Sequence, residues 1–153
     1  MSLKYIKFFR EIGIEDVESV GGKNASLGEM YQNLTAHGVK VPNGFAITAE
    51  AYSYVLEAND ALEALHAELD ILDPENVDDL QKKGKRCREI VYNCSIPDDL
   101  RLEILEGYKL LQEEYGKDIS LAVRSSATAE DSQRPHLQDK MRLILMFQMK
   151  MPF

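Results

Sequence analysis

Apolar residues recur at helical spacing along most of this chain, and short β-prone runs interrupt them. Residues 5–9 predict a short strand or extended entry, and 14–20 lead into a glycine pair. Leu27, Met30, Tyr31 and Leu34 stand at i, i+3, i+4 and i+7, one apolar face of a helix predicted over about 24–36. Asn24 is expected near its N-cap and His37-Gly38 at its stop. A β-prone run at 39–41, the turn Pro42-Asn43-Gly44 and a strand at 45–47 follow. Thr48 should cap a second helix reaching about residue 58. Leu62, Leu65, Leu69 and Leu72 give the next apolar face, which Asp73-Pro74 ends. A helix over about 77–93 is expected to turn Leu80, Cys87, Ile90 and Val91 inward. Pro97 suits the first turn of the last helix, which uses Leu100, Ile104, Leu111 and Tyr115 and stops at Gly116. Residues 119–123 are apolar apart from Ser120 and read as a buried strand.

Two of these junctions carry chemistry. Gly21, Gly22 and Lys23 open the first long helix. A glycine turn there lets backbone N–H groups approach an anion, the helix dipole favours negative charge, and Lys23 adds a mobile cation. The same pattern also serves an ordinary turn with a solvated lysine. It is not a Walker A loop, because Val17 stands where that loop has its first glycine and Asn24 where it has Ser or Thr. The second junction follows the run at 119–123, where Arg124, Ser125, Ser126 and Thr128 cluster. Arg offers a planar fork of donors and the hydroxyls offer short ones, a set that suits phosphate oxygens. An arginine paired with a carboxylate such as Glu130 would look the same in sequence.

Composition narrows the classes. The chain has 153 residues, 44% hydrophobic and 29% charged, enough for one globular domain with a real core. A net charge of −8 disfavours nonspecific binding to nucleic acid or anionic membrane, while leaving room for a local basic pocket for a nucleotide. No apolar run has transmembrane length, and the first residues lack a signal-peptide core. Cys87 and Cys94 form no CxxC pair and read as free thiols of a reducing cytoplasm. His37, His66 and His136 are scattered and stand at no metal-ligand spacing.

Together the stretches VGGKNASLGEM, VPNGFAITAEAY and LAVRSSATAED, in this order, resemble the nucleotide-binding domain of the phosphoenolpyruvate synthase and pyruvate phosphate dikinase family, which also includes rifampicin phosphotransferase. The resemblance covers 14–131. It implies an ATP-grasp-type domain that uses ATP and Mg2+ and passes a phosphoryl group to a histidine on a separate swivelling domain. A barrel domain then hands it to pyruvate; synthases release AMP, phosphate and phosphoenolpyruvate. Residue by residue, the resemblance makes Lys23 and Arg124 the ATP-phosphate cations. Gly21, Gly22, Ser125, Ser126 and Thr128 are supporting candidates.

The family pattern stops after Asp131, where a glycine-bearing loop is expected. Residues 132–153 carry four of the six methionines, and four cations stand there against one acid. Codons can be chosen for 131–151 so that a one-base shift restores the family continuation. The tail is therefore read as out of frame, and DNA sequence through codon 131 checks this. The resulting expectation is α+β: a small mixed β-sheet, built from the runs near 39–47 and 119–123, packed by four or five helices. This is an incomplete ATP-grasp-type domain over 1–131 with a divergent tail over 132–153. It contains no catalytic residue and no Mg2+ ligand of its own, and is expected to be inactive alone. Two other readings are a stand-alone nucleotide-binding or regulatory module, and a protein that self-associates through the apolar tail at 143–147 without catalysis.

Overall fold

The computed structural model describes residues 3–73 and 75–128. Among them, strand β1 (Ile6–Phe8) pairs antiparallel with β2 (Phe45–Ile47), with Ile6 opposite Ile47 and Phe8 opposite Phe45. Two 3-10 turns, Phe9–Glu11 and Ile14–Asp16, lead into the short helix α1 (Val17–Val20). Then come α2 (Gly22–Thr35), α3 (Ala49–Ala58), α4 (Ala61–Leu69), α5 (Val77–Tyr92) and α6 (Asp98–Tyr115). Five longer helices and a small sheet make the class α+β, as the sequence leads one to expect.

The helix ends follow local chemistry. Thr48 accepts the Ala51 N–H and starts α3, and Asn76 accepts the Asp78 and Asp79 N–H groups and starts α5. Pro97 precedes the first turn of α6, and Gly116 ends that helix at φ +98°. Gly38, at φ +82°, follows α2, and the Val39 N–H turns back to the Leu34 carbonyl.

Three clusters form the interior. The largest joins Ile6 and Phe8 of the sheet to Ala51 and Val55 of α3 and Leu100, Ile104 and Leu111 of α6. A second packs Leu56, Ala61, Leu65 and Cys87 between α3, α4 and α5. A third holds Ile12, Val20, Ala25 and Ala46 beneath α1 and α2. Glu103 of α6 accepts the N–H groups of both Tyr5 and Ile6, so a carboxylate satisfies the start of β1 and ties it to the helix. Asn43 is held at the C-terminal end of α6: its N–H donates to the Tyr115 hydroxyl at 2.7 Å and its amide to Glu114 at 2.8 Å. The Pro42-Asn43-Gly44 turn is thereby fixed where β2 begins.

Several expectations are corrected. The sheet is antiparallel, not mixed, and its partner for 45–47 is the opening segment 6–8 rather than 119–123. Residues 119–123 are neither a strand nor buried as a run: Leu121 is 41% and Val123 72% exposed. Apolar composition makes a segment strand-competent, but a strand forms only against a neighbour, and none among the described residues lies alongside. Residues 39–41 likewise form no strand. Leu80 of α5 faces outward, with Tyr115 of α6 also half-exposed.

In α2 the inward face is also different. Ala25 and Gly28 are buried and, of the expected face, Leu27 and Tyr31 are half-buried, while Met30 is 45% and Leu34 36% exposed. The reason is distance. A Cβ built on Gly28 would lie 2.3 Å from the Ile12 carbonyl oxygen, so only a glycine lets the helix approach this closely. One turn later, the Gln32 amide donates to the same oxygen at 2.6 Å.

The entry to α1 carries a titration of defined sign. Asp16 accepts the Gly13 N–H and the Lys7 ammonium, both at 2.9 Å. The Gly13 N–H first, and Lys7 second, hold its carboxyl below the usual carboxylate range. Such a group contributes stability above its unfolded pKa of about 3.9 and loses it as pH falls through the lower folded value. The stability advantage of the native chain over Asp16→Asn should therefore shrink as pH is lowered from about 5 to about 2. Urea unfolding of both proteins across that window checks this; a constant difference would overturn it.

Candidate functional site

The glycine pair sits between two helices rather than in a loop. The Gly21 N–H donates to the Val17 carbonyl at 2.8 Å and closes α1, while the Gly21 carbonyl accepts the Ala25 N–H at 3.0 Å and opens α2. One residue thus ends one helix and caps the next, and it does so at φ +82° and ψ 157°. That backbone region is essentially restricted to glycine. Asn24 is not the N-cap that the sequence suggests. It lies in the first turn of α2, and its side-chain amide donates back to the Val20 carbonyl at 2.9 Å, satisfying the end of α1.

Residues 126–127 lie against this junction. The Gly22 N–H donates to the Ala127 carbonyl at 3.3 Å, and the Asn24 N–H donates to the Ser126 hydroxyl oxygen at 3.4 Å. Ser126 is 3% exposed and Ala127 is also buried. The space beside Gly21 is filled by this segment: a Cβ there would lie 2.2 Å from Ser126 Oγ and 2.8 Å from the Ala127 carbonyl oxygen. Two sequence stretches about a hundred residues apart therefore meet, through first-turn N–H groups of α2.

The positions around the contact differ in exposure. Lys23 and Arg124 present exposed side chains; Gly22, Ser125 and Thr128 are half-buried; Gly21 and Ser126 are buried. The cations expected from the sequence are thus at the surface of a joint whose buried part consists of Gly21, Ser126 and Ala127. Glu130, the alternative partner for Arg124, lies outside the described residues, as do His136 and the tail at 132–153.

Sequence reasoning did not find the part played by the Ala127 carbonyl or by the Asn24 N–H. A backbone group leaves no composition signal. The usable sign was Gly21 itself, a residue needed where another segment comes close.

Elsewhere the described residues hold little chemistry. Cys87 and Cys94 are free, and burial pushes both thiols up, away from the reactive thiolate. His37 is held to the Asn33 carbonyl at 2.7 Å, one helical turn away, and His66 is exposed on α4. Among the described residues no group of three or more His, Cys, Asp or Glu is set to hold a metal ion. No helix among them is long and apolar enough to cross a membrane.

Comparison with known proteins adds the following. The family model described as pyruvate phosphate dikinase, AMP/ATP-binding domain, matches residues 17–151. The phosphoenolpyruvate synthase of Helicobacter pylori is 48% identical over 130 residues, which is 84% of this chain and 16% of that protein. That of Neisseria meningitidis serogroup B is 48% identical over 132 residues, 86% of this chain and 17% of that protein. That of Escherichia coli K12 is 41% identical over 126 residues, 82% of this chain and 16% of that protein. The chain thus spans about a sixth of the length of these curated relatives.

Proposed function

Because the chain belongs to the family of the pyruvate phosphate dikinase AMP/ATP-binding domain, we propose that it forms the phosphate-holding part of an ATP site, with Lys23 and Arg124 as its cations. The observation that carries this reading is the meeting of the glycine turn and the 124–128 segment, through Gly22 to Ala127 and Asn24 to Ser126. Lys23 lies in sequence between the two donors on one side of that contact, and Arg124 precedes the other side. Both are exposed, as groups that receive a ligand must be. An ammonium and a guanidinium, with the Ser125 and Thr128 hydroxyls close in sequence, form a donor set fitted to phosphate oxygens. Gly21 and Gly22 serve by letting the two stretches approach.

Bound ATP would bring the transferable phosphoryl group. The chain's own residues would orient the phosphates and offset their charge. In the larger proteins that share this domain, the reaction proposed is ATP, pyruvate and water to AMP, phosphoenolpyruvate and phosphate, in the cytoplasm and within an ATP-grasp-type fold. The chain by itself is proposed to bind nucleotide without turning it over.

An ATP titration with purified protein tests the reading. Lys23→Ala and Arg124→Ala are each expected to weaken ATP binding by about ten- to a hundredfold, the span of a charge-assisted hydrogen bond. Failure of the native chain to saturate at millimolar ATP, or two variants that bind as it does, would refute the site. Phosphoenolpyruvate formed from ATP and pyruvate in the same samples would refute the inactivity.

A further inference from the structure

We infer that Ser126 is a positioning residue, not a nucleotide ligand: it latches the segment that bears Arg124 onto the first turn of α2. The inference deepens the phosphate reading and rests on it only for what Arg124 would contact. Three observations carry it. Ser126 is buried, so its hydroxyl does not face a ligand from solvent. Its oxygen accepts the Asn24 N–H at 3.4 Å, from the residue next to Lys23. Its side chain occupies the space that a Cβ at Gly21 would need.

The neighbouring Ala127 carbonyl accepts the Gly22 N–H at 3.3 Å, so the latch has two bonds, one from the backbone and one from a side chain. The N–H groups of Gly22 and Asn24, the residues flanking Lys23, are thereby spent on the chain's own segment rather than offered to an anion. What the α2 terminus then contributes is a rigid relation between Lys23 and Arg124. Cations fixed in advance lose less freedom on binding than two that must first be gathered.

The latch can be read without nucleotide. Arg124 is exposed, and the peptide bond after it is a trypsin site two residues from Ser126. In Ser126→Ala, trypsin cleavage after Arg124 should rise about three- to tenfold relative to cleavage after Lys117, the effect of one ordinary hydrogen bond on a local opening equilibrium. Hydrogen exchange at the Asn24 amide should quicken by a similar factor, with exchange at Ile104 in the α6 core unchanged. ATP affinity should fall by no more than the same factor. Unchanged cleavage and exchange in Ser126→Ala would overturn the latch. So would a loss of ATP affinity with both rates unchanged, which would make Ser126 a direct contact. If native protein fails to bind ATP while Ser126→Ala still opens the segment, the latch stands and the phosphate reading falls.

Discussion

Gly21→Ala is expected to lower the stability of the described domain by about 3 kcal/mol or more and to abolish measurable nucleotide binding. Two independent causes add. The backbone at φ +82° and ψ 157° is a conformation that a residue with a Cβ adopts only at about 1–3 kcal/mol. The new methyl group would also stand 2.2 Å from Ser126 Oγ, and 2.8 Å and 3.0 Å from the Ala127 carbonyl oxygen and carbon. Overpacking of this kind typically costs about 1–3 kcal/mol, and backbone atoms on one side leave little room for relief.

Against a total stability of about 5–15 kcal/mol for an ordinary domain, the loss is large. The chain can reduce the clash by releasing residues 126–127 from α2. On the proposed phosphate site, such release would loosen the relation of Lys23 to Arg124, which is why binding is expected to fail even where folding survives. Gly38→Ala is the control. Gly38 shares the φ of +82° but has nothing within 4 Å of its would-be Cβ, so it reports the cost of a positive φ without crowding. Urea midpoints and ATP titrations of both variants decide the matter. A Gly21→Ala protein no less stable than Gly38→Ala would mean that the packing of Ser126 and Ala127 against Gly21 is not as described.

The second large effect concerns the middle of α2. Gly28→Ala is expected to destabilise by about 2 kcal/mol net, even though alanine is the better helix former by about 1 kcal/mol. The Cβ would meet the Ile12 carbonyl oxygen at 2.3 Å and Ile12 Cβ at 2.7 Å, and Ile12 is fully buried beneath the helix. Neither atom is the loose end of a side chain, so α2 itself must move.

Met30→Ala, in contrast, should change stability by no more than about 0.5 kcal/mol, because nearly half of that side chain already faces solvent. A helix seated on the Leu27, Met30 and Leu34 face would give the reverse order, with Met30→Ala costing about 2–5 kcal/mol. Thermal unfolding of the two variants beside the parent distinguishes the arrangements.

The chain's periodicity and most of its caps and stops were sufficient to place the five longer helices, whereas the short α1 and the cap of α2 at Gly21 were not expected. Thr48, Pro97 and Gly116 act within a few residues of themselves, so their meaning does not depend on what packs nearby. The ordered triplet of motifs was likewise enough to identify the family. Tertiary structure alone decided which face of α2 is buried. A spacing of i, i+3, i+4 and i+7 reports that a helix has an apolar side, but the shortest approach is allowed where side chains are smallest. Here that is Ala25 and Gly28 rather than Met30 and Leu34.

Tertiary structure also paired 45–47 with 6–8 and left 119–123 without a neighbouring strand among the described residues, since a ladder is a property of two segments and neither encodes its partner. It brought Gly22 and Asn24 to Ala127 and Ser126 as well, across about a hundred residues of intervening chain. The sequence displayed the two halves of that joint as separate motifs. Their meeting depends on backbone donors and acceptors, which every residue but proline carries alike, and only the folded chain selects which of them face each other.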